Sequence, residues 1–189
     1  MIKLIIGLII FFGIHSSSIV ALSFRNNMAE KNELMWKGFY SLISIIGLVL
    51  IIYGYADYRL TADIIYVSPL WLRHVSALLL MPFFILMLAP YFPSAINNKL
   101  KHPQLVAVKL WALAHLLVNG SVADIILFGS FLVWAVVDRV SVKRRPIREV
   151  PHIPESRLNI IICVLGGLLL YVIFAIWLHG SLIGVRPFG

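Results

Sequence analysis

The sequence predicts an all-α fold, a polytopic membrane bundle of six transmembrane helices, on three observations. Of its 189 residues, 61% are hydrophobic and 13% charged, and the mean hydropathy is +0.96; one soluble core has no use for that much apolar surface. The apolar residues are gathered into six runs, at residues 2–22, 38–56, 71–91, 104–118, 122–137 and 158–178. Between the runs lie short polar stretches holding most of the charge. A helix crossing the hydrocarbon needs about 20 mostly apolar residues, because only internal bonds can satisfy its backbone there.

The first run carries a single Lys3 before its apolar core. That pattern also fits a signal peptide with Ala21-Leu22-Ser23 as cleavage site, but His15 interrupts the apolar region such a peptide needs. The second run is uninterrupted. In the third, Pro82 removes a backbone donor and predicts a kink. Pro103 opens the fourth run at a first-turn position. The fourth and fifth runs are short and are joined by Asn119-Gly120-Ser121, a turn signal, so they are expected to form a helical hairpin. Ser121 and Asp124 have the spacing of a capping box at the start of the fifth helix. In the sixth, Gly166 and Gly167 suit close helix contact.

Orientation follows from Lys and Arg. Eleven fall in the odd-numbered loops and their flanks: Arg25, Lys31, Lys37, Lys99, Lys101, Arg139, Lys143, Arg144, Arg145, Arg148 and Arg157. Four fall on the other side: Lys3, Arg59, Arg73 and Arg186. The positive-inside bias then places the odd loops in the cytoplasm and both termini outward, in a bacterial inner membrane. Trp36, Trp71, Trp134 and Trp177 stand near run ends, as an interfacial belt would. Lys109, inside the fourth run, is near enough to the cytoplasmic side to snorkel. Asp138 and Arg139 are expected to close the fifth helix as an interfacial ion pair.

Composition also excludes functions. The basic residues are spread over loops and are not interleaved with aromatics, which argues against nucleic acid as a partner. The lone Cys163 cannot build a disulfide framework, an iron–sulfur cluster or a c-type haem attachment. It is expected to be a buried, inert thiol. No repeat or interdomain linker is visible, so residues 1–189 read as a single transmembrane domain.

An ionisable residue within a span demands a reason, since a charged group costs at least ~2.5 kcal/mol at the centre. His15 and His115 lie inside the first and fourth runs; His74 and His179 sit at outer ends, and His102 and His152 on the cytoplasmic side. Neutral imidazole is a usual ligand of b-type haem iron, and helices of a bundle can present it. Trp111 and Asn119 are four residues either side of His115, hence on one helix face. On a haem reading Trp111 meets the porphyrin edge, and Asn119 accepts from the other ring nitrogen of His115. His115 is then the indispensable ligand and His15, followed by three serines, the exchangeable one. The competing reading makes His115 a polar packing residue bonded to Asn119 or to another helix.

Several segments carry a resemblance. Lys37-Gly38-Phe39-Tyr40-Ser41-Leu42-Ile43-Ser44, His102-Pro103-Gln104 through Trp111-Ala112-Leu113-Ala114-His115-Leu116-Leu117-Val118-Asn119-Gly120, Leu127-Phe128-Gly129, and His179-Gly180-Ser181-Leu182-Ile183-Gly184-Val185 resemble the NnrU family in content and order. The resemblance implies a role in nitric oxide or nitrite metabolism. It also implies kinship with the plant 15-cis-zeta-carotene isomerases, which are haem-b membrane enzymes, and so points to His15 and His115 as iron ligands. Those isomerases have a cysteine three residues before the second histidine; here the position is Ala112, which removes any thiolate ligand. The resemblance equally admits a non-enzymatic accessory or assembly factor with a membrane protein partner. His102-Pro103 is more distantly similar to S-adenosylmethionine-dependent isoprenylcysteine-type methyltransferases. Lys101 stands where those carry Arg, and residues 158–189 hold no acidic residue.

Overall fold

The structure, a computed structural model, describes residues 1–146 and 150–188; Arg148, counted above in the basic fifth loop, lies outside them. The described residues are helical without a regular strand. In chain order they form α1 (Ile2–His15), α2 (Ser17–Val20), α3 (Leu22–Lys31), α4 (Glu33–Tyr58), α5 (Leu72–Leu80), α6 (Phe83–Leu88), a 3-10 turn (Ala89–Tyr91), α7 (Ala95–Leu100), α8 (Pro103–Val118), α9 (Val122–Val142), α10 (Asn159–Ile173), a π-helical turn (Phe174–Leu178) and α11 (His179–Ile183).

Four segments among the described residues are long and apolar enough to cross a membrane: Glu33–Tyr58, Leu72–Tyr91, Val122–Val142 and Asn159–Ile183. Their outward surface is largely Leu, Ile and Val, as at Ile52, Val133, Leu165 and Leu169. That apolar exterior is stable only against lipid, and the chain is an integral membrane protein. At 1.5 Å per residue the 26 residues of α4 reach about 39 Å, beyond the ~30 Å hydrocarbon core. The apolar helices α1, 14 residues, and α8, 16 residues, fall short of it. The sixfold expectation thus meets four full-length helices and two shorter ones.

The boundaries differ from the apolar runs for local reasons. The first run ends as regular helix at His15; Ser16 stays near helical geometry, a single turn follows, and Ala21 leaves it at φ −136°. The fifth run continues past residue 137 to Val142. Pro82 interrupts the third between α5 and α6, as its missing donor requires.

The described residues form two compact units. The first comprises Met1–Tyr66 and Gly120–Ser130. Its frame is α1 laid antiparallel on α4 with backbones nearly touching: a Cβ on Gly7 would sit 2.6 Å from Ile51 N, on Gly47 2.8 Å from Phe11 N, and on Gly54 2.3 Å from Leu4 N. Small residues are how apolar helices gain dispersion contact when lipid offers no hydrophobic drive between them. Lys3 and Asp57 pair at 2.8 Å across the end of the hairpin, exposed. The chain preceding residue 67 returns to the start of α9, where Ile65 and Tyr66 N–H donate to Gly120 O at 2.7 and 3.2 Å. The capping box forms: Asp124 Oδ2 accepts from Ser121 N–H at 2.9 Å and Ser121 Oγ at 2.6 Å. Tyr55 donates its hydroxyl to the other carboxylate oxygen at 2.6 Å.

The second unit comprises Val67–Asn119 and Phe131–Gly189. Here side chains bond to backbone carbonyls. Ser76 Oγ donates to Ala114 O at 2.8 Å, Ser68 Oγ to Leu117 O at 2.6 Å, and Tyr171 Oη to Ala77 O at 3.0 Å. Asn159, buried to 1% exposure, donates to both Pro93 O and Pro154 O at 3.1 Å. Cys163 is fully buried, as expected, with its thiol 3.2 Å from Ile85 O. Of the paired glycines, Gly167 meets the Ile85 backbone, its Cβ position 2.6 Å from the nitrogen, whereas Gly166 has room.

One polar expectation is corrected. Asp138 pairs with Arg145, not with Arg139; neighbours in a helix project about 100° apart and cannot face each other. Trp36 is buried against Phe24, Phe39 and Tyr40, while Trp71 and Trp177 are exposed.

Candidate functional site

His115 is in the last turn of α8, half-buried. Its Nδ1 lies 2.8 Å from the carbonyl oxygen of Trp111, one turn back. A carbonyl only accepts, so Nδ1 carries the proton and Nε2 the lone pair. That is the tautomer and the kind of anchoring a metal-binding histidine needs. The Trp111 ring lies 5.3 Å from the imidazole, tilted by 50°, and is braced edge-on by Phe131 at 5.3 Å.

Asn119 has a different part from the expected one. Its side-chain nitrogen donates to His115 O at 3.0 Å, the same carbonyl that takes the Asn119 backbone N–H at 2.8 Å. It thus adds a second bond to a carbonyl that already accepts a helical N–H, using its remaining lone pair. The Trp111 carbonyl is nearer to the ring and takes its proton. Ala112, on the buried face of α8, is fully enclosed and brings no donor atom.

His179 opens α11 and completes this part of the second unit. Its ring centre is 6.4 Å from that of His115, with the planes within 20° of parallel. Its Nδ1 sits 2.7 Å from Val185 O, which again leaves the lone pair on Nε2. The chain returns to make that bond because Gly184 takes φ +76°, a left-handed conformation suited to glycine. Phe174, one residue into the π turn's wider register, meets the His179 ring edge-on at 5.8 Å. His74, near the start of the third run, has an exposed side chain.

His15, in the first unit, repeats the local device. It is the last residue of α1. Its Nδ1 lies 2.7 Å from Phe11 O, and the ring stacks on Phe11 at 4.0 Å and 23°. Tyr40 stands 5.1 Å away at 55°. Both candidate histidines therefore occupy helix ends and not the middles of long helices.

Two residues entered this picture from the structure alone, Tyr40 and Gly184. Tyr40 carries no spacing signal that links it to His15; His179 was singled out in the sequence, but beside His74 and not beside His115. Gly184 lies in the same C-terminal segment, and its role needs the observed φ. Among the described residues no three His, Cys, Asp or Glu side chains gather as a metal cluster. The imidazoles of His15 and His115 stand in different units, and that of His115 has His179 beside it.

His102, outside the spans at the entry to α8, is held below the ordinary histidine range by burial, with Arg139 adding to the shift. It belongs to the charged end near Asp138 and Arg145.

No curated protein and no solved structure matches the chain. The family model described as NnrU protein matches residues 3–187, nearly the whole length, and the chain belongs to the NnrU family.

Proposed function

We propose that this NnrU-family protein holds a haem b through His115 and uses it in nitric oxide or nitrite metabolism or in isomerase-like redox chemistry. The observation that carries the reading is the His115 imidazole, fixed by the Trp111 carbonyl with its basic nitrogen defined, beside an indole large enough to cover a macrocycle edge. When bound, haem b would supply an iron whose second axial position takes an exchangeable ligand, including a small gaseous one. His115 anchors that iron, and Trp111 orients the ring and packs beside it. Ala112 in place of a cysteine favours gas-linked redox chemistry over an isomerase that depends on a thiolate ligand.

The topology of the proposal keeps six crossings in an inner membrane with both termini outward. α1 supports this because it runs beside α4 from Leu4 against Gly54 to Phe11 against Gly47, so it shares the depth of a full-length span. α8 supports it by its apolar length between Lys101 and the polar turn Asn119-Gly120-Ser121. In a Cys163→Ser background, an impermeant thiol reagent on intact cells should label Leu60→Cys and not Arg144→Cys; the reverse pattern would invert the orientation.

The absorption spectrum of protein purified from haem-replete cells tests the function. A Soret band is expected. Colourless, folded protein that co-purifies with a second membrane protein would instead support the accessory-factor reading.

A further inference from the structure

The end of the last apolar segment carries a cation that the haem reading does not use. Arg186 follows closely on Ile183, where the apolar stretch Asn159–Ile183 closes. Among the described residues no carboxylate pairs with it, and residues 158–189 contain no Asp or Glu. At 1.5 Å per residue the 25 residues of that stretch reach about 37 Å, more than the ~30 Å of hydrocarbon. Arg186 therefore falls among the lipid headgroups, where phosphate is the abundant anion.

The chain builds a hollow around this cation. The π turn at Phe174–Leu178 widens the helix just before α11, and π segments recur at functional sites. Gly184, left-handed at φ +76°, turns the chain back, so that the Arg186 stem crosses Gly180; a Cβ on that glycine would stand 3.3 Å from Arg186 Cγ. The hollow measures about 400 Å³, and its wall includes Arg186, Gly180, Ser181, Ile176, Trp177 and Phe188. The Ser181 hydroxyl donates to Trp177 O at 3.0 Å, which leaves the guanidinium as the group able to face an anion. Ile176, Trp177 and Phe188 are exposed, so the rim is apolar on the side that meets lipid.

We infer that this hollow binds an anionic phospholipid, with its phosphodiester on the Arg186 guanidinium and the start of an acyl chain against Ile176 and Phe188. A guanidinium fork meets the two unesterified oxygens of a phosphodiester together, and an indole at this level suits the boundary between headgroup and chain. A zwitterionic lipid brings its own ammonium to compete for the phosphate, and the wall holds no acid to receive it. A free phosphate gains nothing from the apolar rim. The site stands apart from the haem reading and from the direction in which the chain crosses the membrane.

Trp177 reports the occupant. Full-length protein is reconstituted in phosphatidylcholine vesicles with a minor share of phosphatidylglycerol, the acyl chains of one lipid or the other being brominated to quench indole fluorescence. The signal missing from Trp177→Phe is the part that belongs to this site. In wild type it should show phosphatidylglycerol enriched roughly fivefold over its bulk share, the factor that one basic residue at a membrane surface commands. Arg186 is exposed, so Arg186→Gln should fold as wild type does and lose the enrichment. Arg186→Lys should keep part of it, since the charge remains without the fork. No enrichment in wild type, or enrichment that survives Arg186→Gln, overturns the inference. Loss of the enrichment on adding inorganic phosphate, but not chloride at equal ionic strength, would make this a free-anion site and overturn it as well.

Discussion

The surroundings of His15 and of His115 use one device in two different frames. Each imidazole is pinned to the carbonyl four residues back and lies against the aromatic ring of that residue. The frames differ. Around His15 two helices press backbone to backbone through Gly7, Gly47 and Gly54; around His115 a proline-broken helix and its neighbours are joined by side chains bonded to carbonyls. The neighbours of the rings differ too: Tyr40 beside His15, a second imidazole beside His115. A pinned imidazole alone therefore does not define a site. What stands opposite it does.

The largest expected effect breaks the symmetry between the two histidines. Haem content after His115→Ala should fall to background, while His15→Ala should keep the wild-type haem-to-protein ratio; equal loss in both would mean that the shared device, and not its neighbours, sets the function.

Next come the frames. Gly54→Ala places a methyl into the Leu4 backbone, and overpacking of this kind typically costs about 1–3 kcal/mol. Gly13→Ala, with nothing within 4 Å, should be nearly neutral. The same contrast is expected in the other unit between Gly167→Ala and Gly166→Ala. Thermal unfolding of the four variants in detergent checks it, and a destabilised Gly13→Ala would contradict the backbone-contact account.

In the hydrogen-bonded frame, Asn159→Ala removes both bonds that the buried amide donates and should cost about 1–3 kcal/mol, with Ser76→Ala nearer 1. Tyr55→Phe in the first unit should cost a similar ~1 kcal/mol. Chemical denaturation in mixed micelles would rank them, and a Ser76→Ala loss above that of Asn159→Ala would refute the ordering.

The smallest effect is a pH slope. His102 is shifted downward in the native protein, so the unfolded chain binds its proton more tightly. Its contribution is complete above the ordinary histidine value of about 6.5 and declines as pH falls below it. Melting temperatures at pH 8 and 5.5 should differ less for His102→Gln than for wild type; an unchanged difference would remove His102 as the source.

Much of this was legible in the residues. Apolar runs mark helices because lipid enforces self-bonded backbone. Pro82 and the Ser121–Asp124 box act through local chemistry, so the interruption and the cap could be placed from sequence. The end of α1 at His15 was harder to see, since an apolar count continues through Ile19 to Leu22 while the backbone leaves helical geometry at Ala21. Gly47 and Gly54 were overlooked because their value lies in what approaches them, and Gly166 and Gly167 look alike until Ile85 is placed. For the site, helix periodicity put Trp111 and Asn119 on the His115 face. Which atom takes the ring proton needed distances, and His179, 64 residues away in sequence, needed the fold.

The central claim, that His115 is the ligand that holds the haem, is tested most directly by cavity complementation. His115→Gly should purify folded and without haem, and added imidazole should restore a Soret band by occupying the vacated space. A His115→Gly protein that keeps the wild-type haem content without imidazole would contradict the account.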